Sequence, residues 1–115
     1  MTKIEKFEDI IAWQKAKEMT SMLYKAFHNN KDFGFRDQIQ RASVSVMNNI
    51  AEGFERNGKI EFKRFLIISK ASCGEVRSML YLALEFRYIS QTEFDTLYTL
   101  STETSKILSS FITKM

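Results

Sequence analysis

Proline is absent from this sequence of 115 residues, cysteine occurs once, and glycine occurs four times. Proline breaks helices and glycine weakens them, so the shortage of both leaves room for long helices. The single cysteine, Cys73, can form no internal disulfide and has no second thiol for a zinc or redox pair. We therefore expect a fold held together by its hydrophobic core, in a reducing cytoplasmic compartment.

A long apolar run is also missing. No stretch approaches the roughly 18 uninterrupted apolar residues that indicate a membrane-spanning helix. The first residues carry charges at Lys3, Glu5, Lys6 and Glu8, where a signal peptide would have its apolar segment. We expect neither a membrane segment nor an export signal.

The residues that catalysis needs are scarce. A di-iron site in a helical bundle requires Glu-x-x-His motifs on two helices, and the sequence has one histidine, His28. No histidine stands at helical spacing from Cys73, and phosphate-binding glycine motifs do not occur. We therefore predict a protein that is not an enzyme and that holds no metal or other cofactor.

Apolar residues recur at steps of three and four along most of the chain, which is typical of amphipathic helices. The first such series runs through Phe7, Ile10, Trp13, Ala16, Thr20, Leu23, Tyr24 and Phe27. The pattern predicts four helices, at residues 7–28, 36–56, 60–87 and 91–113, with Ser90 and Glu93 forming a capping box before the last. Short connections favour antiparallel neighbours, so we predict an all-α, up-down-up-down four-helix bundle in one domain of residues 1–115.

The second predicted helix carries polar residues opposite its apolar side. They fall within about a third of the helical circumference: Arg41, Ser45, Asn48, Glu52 and Arg56. This wall is either a solvated face or an ordered network. In a network, Glu52 would accept hydrogen bonds from Arg41 or Arg56 of another helix or subunit, with Glu75 as a further acceptor.

The third predicted helix has apolar residues on a second side, away from its core series. They are Ile67, Ile68, Ala71, Gly74, Met79 and Leu82. A helix that is apolar over so much of its circumference indicates an association surface. We predict a homo-oligomer whose interface includes Ile67, Ile68, Ala71 and Leu82. Alternatively, the small residues 71–74 pack closely against the second helix of the same subunit.

Basic residues exceed acidic ones in the whole chain, with a net charge of +3, and the middle segment holds the excess. A set of them follows the end of the second helix and one flank of the third: Arg56, Lys59, Lys63, Lys70 and Arg77. Such a row can follow phosphates, and it can equally be a solvated flank. Few aromatic residues accompany it, so we expect little base stacking.

Four segments together resemble a known family. They are FEDIIAWQ at 7–14, RDQIQRASVSVMNNIAEGFER at 36–56, EFKRFL at 61–66, and residues 72–75. The sequence resembles the four-helix-bundle proteins encoded in intervening sequences of bacterial 23S ribosomal RNA genes, most specifically in Ser-x-x-x-Asn-Ile-Ala-Glu-Gly at 45–53. The resemblance implies these signature positions, none with a catalytic role: Trp13, Arg41, Ser45, Asn49, Glu52, Gly53 and Glu75.

That family is also similar to the accessory variability determinant of diversity-generating retroelements, a basic homopentameric bundle that binds nucleic acid and a reverse transcriptase. The similarity implies a pentamer as the first expectation for this chain. We accordingly expect an oligomeric, RNA-associated accessory protein whose partners are RNA or an RNA-processing protein. The alternative is a protein-binding homo-oligomeric scaffold without affinity for nucleic acid.

Overall fold

The computed structural model describes residues 3–115 and contains helices without strands over that range. A short 3₁₀ helix at Phe7–Asp9 precedes four α-helices. These are α1 (Ile11–Ala26), α2 (Phe33–Glu55), α3 (Lys59–Glu85) and α4 (Gln91–Thr113). The all-α prediction is confirmed.

The four α-helices form a closed ring of neighbours. Helix α1 packs against α2 and α4, and α3 packs against α2 and α4, while the diagonal pairs stay apart within the described residues. The longest dimension of the protein, 43 Å, corresponds to the length of α3 at about 1.5 Å per residue. This is the predicted up-down-up-down bundle, and the outer sides of α1 and α3 face in opposite directions.

Local signals set the helix ends. Helix α2 begins earlier than predicted because a carboxylate oxygen of Asp32 accepts a hydrogen bond from the backbone N–H of Phe35 at 3.2 Å. Asn57, with φ of 58°, takes the left-handed conformation that ends α2. The predicted capping box of α4 is present, since Ser90 and Glu93 exchange both hydrogen bonds. The predicted first helix is interrupted at Ile10, whose extended backbone separates the 3₁₀ helix from α1.

Buried apolar side chains form two clusters along the bundle. The larger contains Phe27, Val46 and Leu80, and the smaller contains Ile10, Ile50 and Leu108. Most of the predicted series are buried, with exceptions. Tyr24 is 47% exposed, and Met79, predicted to lie on the second apolar side of α3, is 8% exposed and belongs to the core. Because α2 and α4 both pack against α3, the buried part of its circumference is wider than a single row of residues.

The described helices include none long and apolar enough to cross a membrane.

Candidate functional site

Small polar residues join α2 to α3. The hydroxyls of Ser45 and Ser72 are 2.8 Å apart. The side-chain amide of Asn49 donates to the backbone oxygen of Ser45 at 2.8 Å and to its hydroxyl at 2.9 Å. All three side chains are half-buried. Two signature positions, Ser45 and Asn49, thus belong to a network between helices, which we call the α2–α3 seam together with Gly53 and Ser72.

Gly53 permits the close approach of the two helices at the seam. A β-carbon built at Gly53 would lie 2.6 Å from the β-carbon of Phe65, which is closer than such atoms pack. Nearby, the buried hydroxyl of Ser69 donates to the backbone oxygen of Val46 at 2.7 Å. A third signature position is therefore explained by packing.

The charged residues of the α2 wall are more exposed than the seam. Arg56 donates to Glu52 of the same helix at 2.9 Å, and its guanidinium lies 5.2 Å from the ring centre of Phe65. The hydrogen bond with Glu52 raises the pKa of Arg56. Within the chain, Glu52 therefore pairs inside its own helix rather than across helices. Of the wall, Ser45 belongs to a network with Asn49, whereas Arg41, Asn48, Glu52 and Arg56 form an exposed face.

An open groove of about 580 Å³ lies beside the seam. Arg41, Asp37 and Glu75 line it, and Gln38 donates to Glu75 across it at 3.4 Å. Charges of both signs occur in this groove, so it does not select an anion. Two more signature positions, Arg41 and Glu75, lie here.

Trp13 lies apart from the other signature positions. Its ring makes an edge-to-face contact with Phe7 at 5.2 Å, and the ammonium of Lys17 lies 6.0 Å from its centre. Trp13 packs against the smaller core cluster, which includes Ile10. It holds the segment before α1 against the bundle, which is a structural role.

Lys70 and Arg77 line a second open groove, of about 520 Å³, between α3 and α4. On the α4 side the groove presents the hydroxyl residues Ser105, Ser109 and Thr113. None of the described residues that line it is acidic. We call it the basic groove. Cationic side chains beside hydroxyls are the usual protein contacts to phosphate oxygens.

The five predicted basic residues are not brought together in one place. Lys63 precedes Lys70 by seven residues, as Lys70 precedes Arg77, and this spacing keeps the three on one side of α3 with a drift of about 20° per step. Lys59, four residues before Lys63, begins the same side of α3 but lines a cleft at the α2–α3 turn that also contains Glu5 and Glu55. Arg56 lies on the α2 side of α3, over Phe65. The row is therefore reduced to Lys63, Lys70 and Arg77.

Cys73 lies beneath the basic groove and is fully buried. Burial raises the pKa of its thiol to about 11, although the positive charges of Arg77 and Lys70 act in the opposite direction. The thiol donates to the backbone oxygen of Ser101 at 3.1 Å. Cys73 thus stays protonated and packs as a core residue. Elsewhere in residues 3–115, His, Cys, Asp and Glu side chains form no group able to hold a metal ion.

The outward side of α3 is exposed and apolar. Ile67, Ile68 and Leu82 are 50%, 43% and 44% exposed, and Ala71 is also exposed. The sequence analysis missed two further exposed residues of this side, Ile60 and Phe86, although their spacing from Ile67 and Leu82 is helical. We call these six residues the outer face of α3, with Phe86 following the last helical residue, Glu85. Ile67 and Ala71 stand at its border, because they also line the basic groove.

The comparisons with known proteins agree with this architecture. Residues 8–110 match the family of the 23S rRNA-intervening sequence protein. The fold is similar to the crystal structure of a protein with unknown function from the S23 ribosomal protein family of Bacteroides thetaiotaomicron. That structure has a TM-score of 0.82 and 26% sequence identity, over 89% of this chain and 98% of the other.

A comparison with curated protein sequences gives no significant match. Neither the matched family nor the structural neighbour is described as an enzyme. The family match covers most of the chain, including both helices of the α2–α3 seam and α4 up to residue 110. The protein belongs to the 23S rRNA-intervening sequence protein family.

Proposed function

We propose that the protein is a non-enzymatic, self-associating helical bundle that binds RNA through its basic groove. The observation that carries the proposal is the composition of that groove. Lys70 and Arg77 face the hydroxyl residues of α4, and no acidic residue is among the described residues that line it. The groove beside the seam has no such bias, because Asp37 and Glu75 line it together with Arg41.

The spacing of the cations suits a chain of phosphates. Lys63, Lys70 and Arg77 follow each other at about 10 Å along the axis of α3, since a helix rises about 1.5 Å per residue. Serine and threonine hydroxyls along the opposite wall can donate to phosphate oxygens between the charges. The groove and Lys63 near it on α3 thus offer several contacts that depend on the backbone of the nucleic acid and not on its sequence.

Self-association would multiply this modest charge. The outer face of α3 exposes several large apolar side chains on one helix, and contiguous apolar surface of this kind marks association sites. A closed homo-oligomer would repeat the basic groove once per subunit, so a ligand could contact several grooves at once. Five subunits are our first expectation, from the similarity to the retroelement accessory protein.

RNA is preferred over DNA because of the family to which the chain belongs. The family is named for an intervening sequence of 23S rRNA, and the structural neighbour is assigned to a ribosomal protein family. The groove chemistry itself fits any polyphosphate backbone. We propose an RNA-processing protein as an additional partner.

The second candidate function is a protein-binding homo-oligomeric scaffold without affinity for nucleic acid. The exposed outer face of α3 favours it, because this face is apolar and would serve a protein partner without any RNA. The two candidates share self-association and differ in the use of the basic groove.

A salt-dependent titration separates them. Fluorescently labelled RNA is titrated with the protein at low ionic strength, and the titration is repeated at several higher salt concentrations. We expect the logarithm of the binding constant to fall linearly with the logarithm of the salt concentration. The slope should be about −2 for three contacts to single-stranded phosphates. If no binding occurs at the lowest salt concentration, the scaffold function replaces this proposal.

A further inference from the structure

We infer that RNA in the basic groove places an unpaired base on the ring of Tyr81, so that the preferred ligand is RNA with single-stranded nucleotides rather than continuous duplex. The inference rests on the proposed function and deepens it, because it names the form of RNA that the groove takes. It also revises the expectation from the sequence that stacking contributes little.

Tyr81 continues the row of cations along α3. It follows Arg77 by four residues, which places the two side chains next to each other on the same side of the helix. The pKa of its hydroxyl is raised, chiefly by a hydrogen bond with Tyr98, and the nearby guanidinium of Arg77 opposes the rise. A strand that follows Lys63, Lys70 and Arg77 would therefore reach Tyr81 next.

Neighbouring aromatic residues of α4 hold the ring of Tyr81 in one orientation. It makes edge-to-face contacts with Phe94 at 5.5 Å and with Tyr98 at 5.8 Å, and its hydroxyl lies 3.3 Å from that of Tyr98. Tyr81 is nevertheless 55% exposed. A ring fixed before binding loses little conformational freedom when a base stacks on it.

The proposed subunit interface leaves this ring accessible. Tyr81 and Leu82 are consecutive residues of α3, and consecutive helical side chains point about 100° apart. Leu82 belongs to the outer face, whereas Tyr81 contacts α4 at the groove side. Association through the outer face and stacking on Tyr81 therefore use different parts of the helix.

An exposed aromatic ring beside cations discriminates between forms of RNA. In a continuous duplex the bases are stacked on each other, whereas loops, bulges and single strands offer bases that can stack on side chains. Such stacking is tolerant of sequence. We therefore expect a preference for unpaired nucleotides without a strong preference among the four bases.

The test compares three variants on a single-stranded RNA that carries 2-aminopurine and on a matched RNA duplex. Tyr81→Leu removes the ring and should weaken single-strand binding by about tenfold, while the slope against salt stays unchanged because no phosphate contact is lost. Tyr81→Phe keeps the ring and should bind like the wild type. Tyr24→Leu removes an exposed tyrosine from α1, across the bundle, and should also bind like the wild type.

Binding by the wild type should also change the fluorescence of 2-aminopurine, and Tyr81→Leu should abolish the change. Circular dichroism establishes that each variant keeps its helices. If the wild type binds single-stranded and duplex RNA equally and Tyr81→Leu changes neither, the inference is wrong while the proposed function stands. If the wild type binds neither RNA, both are wrong.

Discussion

Gly53 of α2 and Phe65 of α3 lie so close that a β-carbon on Gly53 would come within 2.6 Å of the β-carbon of Phe65. Phe65 is anchored on a helix and its β-carbon cannot move without the backbone. The absence of a β-carbon at position 53 therefore permits the short distance between α2 and α3, next to the hydrogen bonds of Ser45, Asn49 and Ser72.

This contact reverses the usual effect of replacing a helical glycine. Alanine at position 53 should gain helix propensity but create overlap with Phe65, and we expect a net loss of about 1 to 2 kcal/mol in the free energy of unfolding. Gly74→Ala is the matched control, because nothing lies within 4 Å of a β-carbon there. Gly74→Ala should raise the free energy of unfolding by about 0.5 to 1 kcal/mol. Urea denaturation measures the free energy of unfolding of both variants. A Gly53→Ala variant more stable than the wild type would contradict the packing described.

Arg87 offers a stabilising substitution at the end of α3. It has φ of 60°, and the backbone N–H groups of Arg87 and Tyr88 donate to Leu84 and Ala83 in the pattern of a Schellman motif. Glycine takes this conformation without strain, so Arg87→Gly should raise the free energy of unfolding by about 0.5 to 1 kcal/mol. Arg87→Ala keeps the strain, so thermal denaturation should show no increase in its stability. Equal gains in both variants would show that the side chain, not the backbone, is responsible.

Cys73 should make stability depend on pH in the alkaline range. Its pKa is raised from 9.0 to about 11 by burial. Between these two values the unfolded chain releases the thiol proton while the folded protein retains it, so folding becomes less favourable as pH rises. The stability advantage of the wild type over Cys73→Ala should therefore shrink from pH 9 to 11. A constant difference across this window would mean that the thiol is not buried in its neutral form.

The sequence was sufficient for the architecture because the helical spacing of its apolar residues is regular. It was less informative about helix ends. Because glycine weakens a helix, Gly34 made the start of α2 difficult to predict. Asp32 fixes that start through one side-chain hydrogen bond. The break at Ile10 was not predicted, because no proline or glycine stands there.

The candidate site was only partly predictable. The seven-residue spacing of Lys63, Lys70 and Arg77 could be read from the sequence, and so could the four-residue step from Arg77 to Tyr81, which we overlooked. The position of Arg56 could not be read from the sequence, because it depends on which helix packs against each side of α3. Packing places Arg56 over Phe65, on the side of α2.

The outer face of α3 should mediate self-association. Leu82→Glu and Ile68→Glu each put a charge on an exposed apolar position of this face and should reduce the mass in light scattering to 13.5 kDa. Tyr24→Glu, on the opposite side of the bundle, is the control and should leave the oligomer intact. A wild-type mass of 13.5 kDa at micromolar concentration would contradict the prediction directly.

The most direct test of the account reverses charge at Lys70 of the basic groove and at Lys63, seven residues before it on α3, and compares the result with the same change elsewhere. Lys63→Glu combined with Lys70→Glu should abolish binding of labelled RNA at low salt while the oligomeric mass is retained. Lys25→Glu combined with Lys31→Glu alters the net charge equally, at exposed positions on α1 and in the α1–α2 connection, and should weaken binding only slightly. Equal losses in both double variants, or unchanged binding in the groove variant, would contradict the assignment of RNA binding to this groove.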